Sequence, residues 1–166
     1  MYQVGEYIVH PGQGVCKVDE IVLQPQETYM LLPVGVRHPM RISFPVSSED
    51  RLRPVLSKGE AEALIGEYRQ MDTDDFTERS AALEEEHFKN AIRRGTCRDS
   101  VRVVKTFRRR IAEVRARNKK PPVVYERILK QASERSLAEL AIALEVTPDD
   151  VRALFEQQGE EDFSLN

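Results

Sequence analysis

Arg98, Arg102, Lys105 and Arg109 recur at intervals of three and four inside CRDSVRVVKTFRRRIAEVRAR, residues 97–117. At 100° per helical residue the four fall within about 60° of one another. Cys97, Val101, Val104, Ile111 and Val114 fall on a different, apolar face. Guanidinium and ammonium groups in such a row can neutralise successive phosphates, with release of condensed counterions. Arg108 and Arg110 flank the row, and Arg93, Arg94, Arg115, Arg117, Lys119 and Lys120 widen its field. Contacts of this kind position a protein on nucleic acid without reading bases.

A second candidate for anion chemistry is the Pro-Gly-Gln-Gly run at residues 11–14 of YIVHPGQGVCKVDEIV. A phosphate loop needs a strand, a glycine loop and then a helix whose N-terminus faces the anion. Here a second strand-like run follows the glycines, and no Lys-Ser or Lys-Thr closes the loop. Gly12 and Gly14 are therefore expected to turn the chain between two strands, with Pro11 stiffening the entry. The histidines at 10, 38 and 87 have no metal-ligand spacing. No serine sits in a nucleophile elbow, and the two cysteines, Cys16 and Cys97, form no Cys-x-x-Cys pair. The expectation is a non-enzymatic protein with two reduced thiols, no metal and no cofactor.

The elements that carry these residues divide the chain in two. Residues 1–56 are strand-like, with short β-branched alternations punctuated at Pro11, Gly14, Pro25, Pro33, Gly35, Pro39 and Pro45. That texture predicts a small, strongly bent antiparallel barrel, with Pro33 and Pro45 at strand ends or edges. Residues 57–166 read as five or six helices. Ser57 with Glu60 and Ser136 with Glu139 are spaced as capping boxes. The helix expected over 75–94 ends at Gly95, Thr96 and Asp99 open the next one, and Pro121 and Pro122 suit another start. Thr147-Pro148-Asp149-Asp150 has the composition of a further N-terminus. The fold class is thus α+β, an antiparallel β module followed by an all-α domain.

The formal charge of −3 hides a strong segregation. Residues 88–130 hold fifteen basic side chains against three acidic ones, while 57–87 and 131–166 are acidic. Such asymmetry is the footprint of a polyanion partner. Pairing of the basic face with those acidic segments is the alternative. Residues 136–156 have a helix-turn-helix rhythm, but their second helix would offer Asp149, Asp150 and Glu156 to a phosphate backbone, which favours simple packing of two helices. No apolar run approaches the length of a membrane span, and the N-terminus lacks a signal-peptide pattern, so a cytoplasmic location without membrane partners is expected.

The ordered runs VGEYIVHPGQGVCKVDEI, YMLL, MRISFPV and RLRPVLS resemble the CarD family of bacterial RNA-polymerase-binding transcription regulators. Their module is also similar to the polymerase-interacting domain of transcription-repair coupling factor. FKNAIRRGTCRDSVRVVKTFRRR and YERILKQASERSLAELA resemble the family's later helices. The resemblance implies a Tudor-like domain over 1–56 that docks on the β subunit of RNA polymerase, largely by strand edges. It places that contact at Met40, Arg41, Ile42, Ser43 and Phe44, with Gln24 and Arg53. It also implies that the helical domain, 57–166, contacts promoter DNA beside the melted region and modulates open-complex stability. The DNA contact would use Arg93, Arg94, Arg98, Arg102, Lys105 and Arg109; no small-molecule substrate is implied. The family's tryptophan wedge has no counterpart, because the chain contains no Trp. The matching position falls near Ala81, with Phe76 the nearest aromatic candidate. His10 stands where the family has Tyr, and Gln24 where a basic residue is common. Two other readings stay open: a free-standing DNA-binding regulator, and an adaptor whose basic face meets an acidic protein.

Overall fold

The structure is a computed structural model and describes residues 1–158. Its contacts divide the chain into a unit over Met1–Ser57 and a second beginning at Lys58. The first unit is a five-stranded antiparallel sheet of β1 (Tyr7–His10), β2 (Gly14–Val22), β3 (Thr28–Pro33), β4 (Ile42–Pro45) and β5 (Arg53–Pro54), in the order β4-β3-β2-β1-β5. A six-residue 3-10 turn, Val46–Arg51, joins the two edge strands. In a flat sheet β1 and β4 would lie about 14 Å apart. The His10 ring on β1 meets the Phe44 ring on β4 at 5.4 Å although two strands separate them in the sheet order, so the sheet curls, as expected of a Tudor-like module. Pro33 and Pro45 are the last residues of their strands, where a missing N–H does least harm.

The β1–β2 hairpin explains the glycine run. His10 pairs with Gly14 across a three-residue loop. Gly14 takes φ +75°, the left-handed conformation that closes such loops. His10 Nδ1 accepts from the Gly12 and Gln13 amides at 3.0 and 3.1 Å, which places the ring proton on Nε2. Further along β2, the register with β3 slips between Val18 and Glu20, so Asp19 is an extra, bulged residue.

Ile8, Cys16, Val18, Tyr29, Leu31, Phe44 and Leu52 form the core of this unit. So small a core is marginal alone, and a polar bracket supplements it. The enclosed Tyr29 hydroxyl donates to Glu49 at 2.6 Å and accepts from the Tyr2 amide at 2.9 Å. Burial first, and then the Glu49 carboxylate, push the Tyr29 phenol from 10.0 up to about 12. The fold thus favours the neutral phenol. Its contribution is complete below the ordinary tyrosine value and is lost as pH rises through about 12. Alkaline titration should reveal one phenol ionising near pH 12 together with loss of the β unit, and Tyr29→Phe should remove that step.

The second unit packs α1 (Lys58–Glu67), a 3-10 turn (Tyr68–Gln70), α2 (Ala81–Arg94), α3 (Cys97–Ala116), α4 (Val123–Leu144) and α5 (Pro148–Glu156). The most extensive packing is between α3 and α4. Thr96 with Asp99 and Thr147 with Asp150 form complete capping boxes. At the α2–α3 corner a Cβ on Gly95 would lie 2.3 Å from the Ala91 carbonyl oxygen and 2.6 Å from Asp99 Oδ2, so only glycine fits there.

Three boundaries differ from expectation. First, α2 begins at Ala81 rather than 75. Upstream, Asp74 Oδ1 bonds the Phe76 amide and Thr73 bonds Asp75, local contacts that compete with a helix. Ser80 is the cap, accepting from Leu83 N. Second, Ser136 caps nothing. It is buried within α4 and donates to the Ala132 carbonyl at 2.7 Å, so the helix runs on unbroken. Third, the strand expected from Met40 starts at Ile42. Among the described residues no helix is long and apolar enough to cross a membrane.

Candidate polymerase and nucleic-acid interfaces

Along β4 the side chains alternate. Phe44 turns into the core, 6% exposed, with the His10 ring edge-on at 5.4 Å and the Arg51 guanidinium 6.0 Å from its centroid. Ile42 packs against the same core, while Ser43 faces solvent. Before the strand, Met40 is 82% exposed. Arg41 is clamped by Asp19 at 2.5 Å and Glu20 at 3.1 Å. Consecutive strand residues normally face opposite ways, and the bulge at Asp19 lets both carboxylates reach one guanidinium. Gln24 lies exposed in the β2–β3 loop, which meets the far end of β4 through Val46 N to Glu27 O at 3.0 Å. Arg53 sits on β5, the other edge in strand order. Three of the seven candidate residues, Ile42, Ser43 and Phe44, thus lie on the β4 edge, with Met40 and Arg41 just before it. Phe44 contributes backbone there, because its ring is enclosed. A free edge can add a partner strand by main-chain hydrogen bonds.

In the helical unit the sequence places four cations on one face of α3, and the structure shows what they meet. Arg98 pairs with Glu67. Lys105 donates to the carbonyls of Tyr68 and Arg69 at 2.9 and 3.0 Å, with its ammonium 5.4 Å from the Tyr68 ring centroid. Arg109 donates to Thr73 Oγ1 at 3.1 Å. Arg102 is half-buried and its charge acts on Asp74. Burial alone would raise the Asp74 carboxyl. The His87 hydrogen bond, the Phe76 amide and the charges of His87 and Arg102 outweigh it and hold the group below its ordinary value. The stripe therefore seats a segment of its own domain. Sequence gave no register for that pairing; its only signal was the acidic character of 57–87.

Arg110, which the sequence places only beside the stripe, is among the most engaged cations. It pairs with Glu84, donates to the Phe76 carbonyl at 2.8 Å, and lies 5.0, 5.1 and 5.9 Å from the ring centroids of Phe88, Phe107 and Tyr125. Phe76 precedes α2 and is 36% exposed, stacked on the His87 ring at 3.9 Å.

A group of exposed cations lies at helix ends. Arg93 and Arg94 close α2, while Arg115, Arg117, Lys119 and Lys120 surround the α3–α4 connection. Of these, Arg115 pairs with Glu126 at 3.6 Å across open solvent, a contact of little energetic weight. Ion pairs Arg110–Glu84 and Arg127–Glu85 bring the start of α2 beside the end of α3 and the start of α4. Two exposed apolar residues, Leu83 (53%) and Val123 (71%), belong to this same end. Neither stood out in the sequence, where isolated apolar residues at helix starts carry no signal. Among the described residues, no three His, Cys, Asp or Glu side chains converge as a metal site.

The CarD-like/TRCF RID domain family model matches residues 2–56. No curated protein aligns with the chain. The match coincides with the five-stranded unit and includes both of its edges, and RID domains are Tudor-like modules of RNA-polymerase-interacting, transcription-related proteins. The N-terminal unit of this chain is a CarD-like/TRCF RID domain.

Proposed function

We propose that the chain is a transcription regulator that docks on the β subunit of RNA polymerase through its RID domain and contacts promoter DNA through its helical unit. By binding one promoter state better than another it shifts their populations and needs no chemistry of its own. The observation that carries this reading is the RID match over 2–56, joined to an edge strand whose side chains leave Met40 and Ser43 open to a partner. The DNA contact is supported by the excess of basic residues over 88–130 and by the exposed cations at the ends of α2 and α3.

Docking by the β4 edge has a direct test. Met40→Asp with Ser43→Lys changes two exposed side chains and leaves the core intact. The pair should weaken binding to a purified polymerase β-subunit lobe by at least about tenfold, or roughly 1.4 kcal/mol, with unchanged thermal stability. Unaltered binding would move the contact to another surface of the domain.

A further inference from the structure

Residues 67–76 run beside α3 in the same direction as the helix. Glu67 meets Arg98, the carbonyls of Tyr68 and Arg69 meet Lys105, Thr73 meets Arg109, and the Phe76 carbonyl meets Arg110. The stretch 67–78 holds five carboxylates, Glu67, Asp72, Asp74, Asp75 and Glu78, against Arg69 alone. Acidic chain lies where the basic face of α3 would receive phosphates.

We propose that residues 71–79 form an autoinhibitory strap, an internal acidic ligand that competes with a polyanion for the Arg102 and Arg109 face. The proposal rests on the reading that the helical unit contacts DNA. Binding on this face and lifting of the strap are then one linked equilibrium. The attachments of the strap suit reversible release. It has no helix or strand of its own, and only Met71 is buried. Beyond Met71 it is held mainly by polar bonds. Asp74 N donates to Thr106 Oγ1 at 2.9 Å, Asp74 Oδ2 meets His87 Nε2 at 2.8 Å, and Glu78 N donates to Glu84. The Phe76–His87 stack is a latch near the surface. Segments with few buried contacts and partly exposed hydrogen bonds are those that open locally.

The test uses the full chain and a 20-base-pair duplex of arbitrary sequence. Amide exchange is followed at Asp74 and Phe76, with α3 amides as internal reference. Saturating duplex should accelerate exchange at both positions while α3 stays protected. Asp74→Asn, which weakens the His87 contact, should tighten duplex binding by roughly three- to tenfold, because the competent state is no longer a minor one. Glu62→Gln, the same charge change on an exposed position of α1, should leave affinity within about twofold. Duplex binding with undiminished protection at Asp74 and Phe76, or equal gains from both variants, would overturn the strap and leave the DNA reading standing. No duplex binding by either wild type or Asp74→Asn at low salt would overturn both.

Discussion

Phe107→Ala is expected to lower the melting temperature of the helical unit by on the order of 15 °C. The ring is 1% exposed and meets Phe88 edge-on at 4.7 Å and Tyr125 edge-on at 5.3 Å. It therefore joins α2, α3 and α4 at one point. Truncating a buried Phe costs about 3–5 kcal/mol, from lost transfer free energy and from the cavity left behind. At roughly 4–8 °C per kcal/mol for domains near this size, even the lower cost gives a shift of that order. A second loss follows from Arg110, whose guanidinium lies 5.1 Å from the Phe107 centroid and pairs with Glu84. Removing the ring admits water beside that pair. Thermal melting followed by helical circular dichroism measures the shift. A drop below about 5 °C would mean that the aromatic cluster is not the keystone of the bundle.

Replacing Arg115, Arg117, Lys119 and Lys120 together by glutamine should nearly abolish duplex binding while leaving the fold intact. All four are exposed, and none contributes to the core. Among the described residues the ion pair broken is Arg115–Glu126, more than half exposed on both sides. Each phosphate neutralised contributes about 0.9 to the slope of log affinity against log salt. If two to four phosphates are met by this cluster, the slope falls by roughly 2–3.5 and affinity near 0.1 M salt by roughly 10²–10³. The matching replacement of Lys105, which is held by Tyr68 and Arg69, and of Arg109, which reaches phosphate only once Thr73 is lifted, should cost less. Salt titrations of both variants separate the two surfaces. A larger loss from the Lys105 and Arg109 variant would make the stripe, not the α3–α4 connection, the principal contact.

Local chemistry made much of the fold legible. The turn at Pro11–Gly14, the caps at Thr96 and Thr147 and the proline start of α4 depend on residues a few positions apart, which the sequence displays directly. Misreadings came where one local hydrogen bond competes with another. Ser136 has the spacing of a cap, yet its hydroxyl is spent on the previous turn of a continuous, buried helix. Phe76 reads as part of α2, but Asp74 and His87 hold it outside the helix. The candidate interfaces show the same division. Periodicity alone put Arg98, Arg102, Lys105 and Arg109 on one face of α3. Which chain segment lies on that face depends on how 67–76 returns to it, and periodicity carries no such information. Likewise nothing in the sequence marks Asp19 as a bulge, so the two-carboxylate clamp on Arg41 could not be read in advance.

The central claim is that one chain holds RNA polymerase by its RID domain and promoter DNA by its helical unit. It is tested most directly by the lifetime of a polymerase–promoter open complex after addition of a competitor. Wild-type protein should change that lifetime several-fold. The Met40→Asp, Ser43→Lys variant and the four-glutamine variant should each return it to the value of polymerase alone, since either contact by itself leaves the two partners unlinked. A lifetime that wild-type protein leaves unchanged, or that both variants alter as wild type does, would contradict the account.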